Sequence, residues 1–397
     1  MASPAPLASG ERAVAIDVLR GLALLGIVIV NMEFYAQPLM PGWSEATGLA
    51  NEIARWLSIA IFQGKSYLVF SLLFGYGLGI QLARADAAGQ ALGRRYARRL
   101  VGLLLLGALH GVFLFAGDIL MAYALLGAIL WPLRRTRERD LLFLACALAA
   151  VSILGFIAIG VGSVLIGGQL DGDGAAAIRA IAEGSLGEQI GQRVSDLPVA
   201  QAFVVLGQGP MVAAAFLVGL VLARRGILGD PAAHRALLTR MARLCLPLGL
   251  LGSAIAATLI TAVGGDAGEG IGIALQSLAA PLSSLGYVAA IALVVADGRA
   301  AGLVRRIAAG GRMSLTVYLG ESIVAAILFT GLGFGLYGRL GPAAGIAIAV
   351  LIWLGFLLFA ALWWRAFRFG PFEWALRSFT YWRWQPLRAG PARDRLL

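Results

Sequence analysis

Lysine is almost missing from this chain of 397 residues: Lys65 is the only one, and the other 31 fixed cations are arginines. Charge of either sign is scarce, at 13% of residues against roughly 25% in a soluble domain. That shortage, beside 60% apolar residues, excludes a large soluble catalytic domain. Cysteine is equally sparse. Cys146 and Cys245 lie in or at the start of apolar runs without a partner motif, which excludes a disulfide scaffold and reads them as small core residues. Also missing are a metal-ligand cluster, a Walker loop, a dinucleotide fingerprint and a serine-histidine-aspartate order, so the mechanisms tied to them are not expected.

What is present is a series of apolar runs near 17–36, 64–83, 100–116, 118–133, 141–167, 198–223, 244–264, 271–296, 313–335 and 343–364. A helix crosses a bilayer in about 20 residues, so the pattern predicts an all-α polytopic integral membrane protein of about ten transmembrane helices. Placing the N-terminus in the cytoplasm collects 26 of the 31 arginines on one side. The opposite face keeps Arg55, Arg179, Arg193 and Arg339, with acids that include Asp171, Asp173, Glu183 and Glu188. This asymmetry predicts cytoplasmic N- and C-termini. The net charge of +11 then faces anionic membrane lipid, and no nucleic-acid partner is needed to explain it. The first run is retained as a helix, because Asp17 and Arg20 stand at its head and no small-residue cleavage site follows Val30.

Four units are expected: a four-helix unit over 1–140, a fifth helix and external loop over 141–197, a five-helix unit over 198–364, and an interfacial tail over 365–397 that interleaves aromatics with arginines. In the external segment 168–197, a weakly amphipathic patch from Ala175 to Ala182 is suited either to lying on the membrane surface or to covering an external cavity.

Ionisable groups within apolar runs cost at least about 2.5–3.5 kcal/mol, so each needs a partner, an aqueous cavity or a task. Asp17 and Arg20 are three residues apart on one helix face, as an ion pair or as a cosubstrate grip. Lys65 sits near the external end of the second run, where it either snorkels to headgroups or joins Asp17 and Arg20 in cosubstrate binding. His110 lies within the third run and Asp118 just across a short turn, an arrangement for a general base oriented through its second ring nitrogen; a buried packing histidine is the alternative. Glu321 has no basic neighbour in its own helix and is read as pairing with Lys65 or His110, or as carrying a proton. Asn31, Tyr318 and Glu321 are the candidate acceptor-binding residues.

Several segments together resemble the YeiB-like bacterial membrane proteins, a family of unknown function. They are Ala15-Ile16-Asp17-Val18-Leu19-Arg20-Gly21 with Asn31, Gln63-Gly64-Lys65-Ser66-Tyr67, Leu109-His110, Gly117-Asp118-Ile119-Leu120, Gly311-Arg312-Met313-Ser314-Leu315-Thr316 with Tyr318, and Phe369-Gly370-Pro371-Phe372-Glu373-Trp374 with Arg377. That family is in turn similar to transmembrane acyltransferases, including the lysosomal heparan-alpha-glucosaminide N-acetyltransferase. The resemblance implies cytosolic acetyl-CoA as cosubstrate, a small-molecule or glycan acceptor on the far side, and a homodimer. The lysosomal enzyme's active histidine precedes its second helix, whereas this chain has Gly64-Lys65 there, so a catalytic role for His110 rests on its own chemistry. The YeiB-like pattern is expected to carry asparagine and glutamine where this chain has Val317 and Glu321, which would mark a specialised substrate. The leading expectation is a membrane acyltransferase with His110 as base. A proton-coupled exporter using Glu321, His110 and Asp118 is the second, and a scaffold without turnover the third.

Overall fold

The computed structural model describes residues 11–38, 47–166 and 174–388. In chain order the helices are α1 (Glu11–Ala36), α2 (Leu49–Leu57), α3 (Lys65–Ala87), α4 (Gly93–Phe113), α5 (Leu120–Leu130), α6 (Glu138–Ile166), α7 (Gly174–Ile178), α8 (Leu186–Ala202), α9 (Gly209–Arg224), α10 (Arg235–Thr258), α11 (Gly265–Ala296), α12 (Ala301–Arg312), α13 (Ser314–Phe329), α14 (Pro342–Trp363) and α15 (Pro371–Tyr381). Among the described residues, eight segments are long and apolar enough to cross a membrane, and α12 with α13, bent by 80° at Met313, makes a ninth. The chain is an all-α, multi-pass membrane protein.

Two of the ten expected crossings are short. α5 has 11 residues, about 16 Å, and α13 has 16, about 24 Å, against a hydrocarbon core of about 30 Å. The fourth apolar run, 118–133, outlasts α5 through Trp131 and Leu133, and the ninth takes in Met313 because that residue is hydrophobic too; hydropathy registers neither a helix end nor a bend. Conversely, helix extends beyond the apolar runs. α2 and a π-helical turn, Ser58–Phe62, precede α3, and α8 precedes α9, making two segments of 39 residues each. α8 starts inside the expected external loop because Ser185 and Glu188 form a reciprocal capping box that satisfies orphan amides. The end of the expected amphipathic patch packs inward: Ile181 and Ala182 are buried, and the Ile181 carbonyl accepts from the Gly331 amide. Asp171 and Asp173 lie outside the described residues.

Helix α1 runs through the middle of the fold. It crosses α12 backbone to backbone at Gly311, where a Cβ would collide with the Asp17 carbonyl. In a lipid solvent, such close contact of small residues replaces the hydrophobic drive that packs soluble helices. One core surrounds α1, α13 and α14 through Met32, Val317, Phe329 and Ala349, and another joins α3, α5 and α9 through Tyr123, Phe216 and Leu220.

Candidate functional site

The last turn of α4 carries His110, after which the chain reverses through Leu114–Ile119. Asp118 sits in that reversal, and its Oδ1 accepts from the Met121 amide at 2.9 Å, capping the first turn of α5. Its Oδ2 is thereby aimed at His110 Nδ1, 2.7 Å away. Gln201 of α8 pins the turn from outside, donating to the carbonyls of Ala116 at 3.0 Å and Asp118 at 2.9 Å. On the other side of the ring, Nε2 lies 2.8 Å from Ser322 Oγ on α13, and Ser322 Oγ lies 2.7 Å from the Tyr35 hydroxyl on α1.

The donor inventory gives this chain a direction. With Asp118 as a carboxylate, the Nδ1–H donates to it and Nε2 accepts from the Ser322 hydroxyl, whose oxygen accepts from Tyr35; the Tyr318 carbonyl, 3.3 Å from Ser322 Oγ, is a longer competing acceptor for the serine proton. Asp118 is 0%, Ser322 1% and His110 2% exposed, so the network is shielded from bulk solvent. Phe115 covers it, its ring 4.7 Å from Tyr35 and 6.1 Å from His110, and the half-exposed Ala116 and Gly117 follow directly.

The expectation that no serine-histidine-aspartate arrangement exists is therefore corrected. His110 and Ser322 are 212 residues apart in sequence, so neither order nor spacing exposes them; three helices bring them together. Tyr35 and Ser322 are the residues that sequence reasoning missed. Their signal was the helical i, i+4 spacing from Asn31 and Tyr318, which puts each on the face of a residue already singled out. Tyr318 stacks obliquely on His110, with centroids 5.1 Å apart, and its hydroxyl is 3.5 Å from Asp118 Oδ2. Asn31 lies within reach of the Tyr35 hydroxyl. Glu321 is buried beside Ser322 with no hydrogen-bond partner for its Oε1; neither Lys65 nor His110 pairs with it.

Lys65 does not snorkel. It is fully buried at the start of α3, and Nζ donates to the Ile59 carbonyl at 2.7 Å. The π turn ends at Gln63 and leaves its last carbonyls without intrahelical partners. Lys65, Gln276 of α11 (to Ile59 and Gln63) and Tyr287 (to Ile61) supply the missing donors. Nor does Lys65 join Asp17 and Arg20. Gly77, which faces Arg20, is 12 residues further along α3, about 18 Å.

Asp17 and Arg20 form the expected i, i+3 pair at 3.5 Å. Arg99 of α4 and Arg312 of α12 stand within electrostatic reach of this pair, and among the described residues neither has a carboxylate at ion-pair distance. Arg99 lies 5.9 Å over Phe74 and Arg312 4.6 Å over Trp364. Arg20 and Arg312 thus act on Asp17 while Arg99 stands near Arg20, so arginines outnumber carboxylates in this cluster and it suits an anion.

The tail of the chain holds α13 in place. Glu373, at the start of α15, accepts from the amides of Leu315 (2.7 Å) and Thr316 (3.1 Å) and from the Thr316 hydroxyl (2.5 Å), capping α13 across the bend. Burial pushes the Glu373 carboxyl above its ordinary range, and these hydrogen bonds pull it back. The expected interfacial role of the tail is thus joined by a positioning one, because α13 carries Tyr318, Glu321 and Ser322.

Residues 222–383 match the family model described as a protein of unknown function, DUF418. The chain is 32% identical over 413 residues to the uncharacterized protein YxaH of Bacillus subtilis (strain 168), covering 98% of each. It is 31% identical over 405 residues to the uncharacterized protein YeiB of Escherichia coli (strain K12), covering 96% of this chain and 98% of that protein. An uncharacterized 39.9 kDa protein of Bacillus acidopullulyticus is 26% identical over 96% of this chain and 97% of its own. Match length and identity to these relatives, together with the family match over residues 222–383, place the chain in the YeiB-like, DUF418 family.

Proposed function

We propose that this protein is an acyltransferase of the bacterial cytoplasmic membrane, with both termini cytoplasmic. It moves an acetyl or other acyl group from acyl-CoA to a hydroxyl or amine of a small-molecule or glycan acceptor on the opposite side. The observation that carries this reading is one helix with complementary equipment at its two ends. Arg20, beside the uncompensated Arg99 and Arg312, suits the phosphates of a CoA thioester. Fifteen residues further along α1, about 22 Å, Tyr35 enters the His110 network. An extended pantetheine arm bridges a separation of that order. A mostly apolar cavity of about 190 Å³ between α1, α3 and α11, walled by Leu22, Leu25, Phe62 and Tyr287, flanks the path and suits an acyl chain.

A thioester is already activated, so positioning plus one base suffices for transfer. His110, held in one tautomer by Asp118, is that base. The test is calorimetric binding of acetyl-CoA to the detergent-purified protein. Saturable binding weakened in Arg20→Ala, with His110→Ala binding normally but transferring nothing, is the expected result. Retained turnover in His110→Ala removes it from the mechanism. Export coupled to protons is favoured by one observation, the buried and unpartnered Glu321 oxygen. It predicts substrate flux that collapses with the proton gradient and no acetyl-CoA binding.

A further inference from the structure

The hydroxyl closest to the base belongs to the protein. Ser322 Oγ lies on the basic nitrogen of His110 at 2.8 Å, and an acceptor can reach that nitrogen only by displacing it. Displacement is opposed from two sides: Tyr35 holds the oxygen at 2.7 Å, and Glu373 fixes the start of α13. Ser322, His110 and Asp118 are each at most 2% exposed, so any substrate enters only as neighbouring side chains give way, and admitting one at a time asks for the smaller rearrangement. The donor's arginines and the surface turn at Ala116-Gly117 also lie at opposite ends of the fold, so the two substrates approach from different sides.

We infer that Ser322 is a nucleophile that carries the acyl group as a serine ester between donor and acceptor. This rests on the acyl-transfer reading above and specifies its chemistry. Ser322 Oγ attacks the thioester carbonyl carbon while its proton passes to His110 Nε2. The carbon–sulfur bond breaks and the departing thiolate takes that proton, leaving free thiol and the ester. The acceptor's hydroxyl or amine then attacks the ester carbonyl, His110 takes its proton, the bond to Ser322 Oγ breaks, and the proton returns to that oxygen. Tyr35 is a positioning residue that orients the nucleophile by donating to it. One acyl group stored on the protein removes the need for two substrates to meet in a closed site.

The full-length protein in detergent is mixed with isotope-labelled acetyl-CoA and no acceptor. Acetyl-CoA binding, free thiol and labelled peptides are then measured. A stoichiometric burst of thiol with the label on Ser322 is expected. Ser322→Ala should carry no label and release thiol about 10³-fold more slowly, while binding acetyl-CoA within about twofold of wild type. Ser322→Cys should regain the label as a thioester that neutral hydroxylamine removes, whereas the serine ester resists it. Binding without a burst, or a label on His110, overturns the serine ester and leaves acyl transfer standing as direct transfer or through an acyl-histidine. No binding of acetyl-CoA by folded protein overturns both.

Discussion

Two buried polar clusters, one around His110 and one around Lys65, lie in the same bundle and differ in what their side chains satisfy. At Lys65 every donor goes to a backbone carbonyl that the broken α2–α3 segment left over: Ile59, Ile61 and Gln63 are each served by a side chain. Around His110 the central bonds run from side chain to side chain, Tyr35 to Ser322 to His110 to Asp118. The first cluster repairs the backbone, and the second leaves a polarised hydroxyl on a base. A buried ionisable residue in a membrane chain is thus informative only once its partner is known.

The comparison breaks most sharply at Asp118. Asp118→Asn presents an amide that can donate to Nδ1 and so stabilise the wrong tautomer; acyl transfer should fall by about 10⁴-fold, with acetyl-CoA affinity and folding retained. Steady-state rates beside binding isotherms check this, and an unchanged rate would make the cluster a packing device. Lys65→Met should do the reverse, lowering stability by about 1–3 kcal/mol while sparing acetyl-CoA binding and turnover. A selective loss of affinity there would return Lys65 to the cosubstrate site.

Glu373→Ala should cost about 0.5–2 kcal/mol by uncapping α13, and lower turnover because Ser322 loses its register on His110. Melting curves compared with Glu373→Gln, which keeps an accepting oxygen, separate lost capping from lost charge. The smallest effect is expected at the arginine-rich surface, where Arg235 hydrogen-bonds Asp297 and holds its carboxyl below the ordinary value of 3.8. A depressed acid pKa stabilises the fold above the unfolded value and ceases to do so as pH falls through the folded one. Wild type and Asp297→Asn should therefore show the same pH dependence from 7 to 5 and diverge only around and below about 3.8.

Much of the fold was legible because hydropathy tracks the bilayer, but the count of crossings slipped at α5 and α13, where the apolar run is longer than the helix. Asp17–Arg20 and His110–Asp118 were legible because they are three and eight residues apart, close enough for local geometry to decide. Lys65 was misplaced because its helix start and the carbonyls it serves depend on the π turn before it. Ser322 carried only its i, i+4 spacing from Tyr318, and a serine in an apolar helix says little until its neighbour across the bundle is known.

The sequence by itself determined a membrane bundle, the arginine asymmetry and the candidate base with its carboxylate, because these follow from composition and from contacts within one or two turns. Only the tertiary structure decided which hydroxyl meets that base. α1, α4 and α13 must cross before Tyr35, His110 and Ser322 come within hydrogen-bonding distance, and that crossing is set by close helix packing and by the Glu373 cap, neither of which a linear pattern encodes.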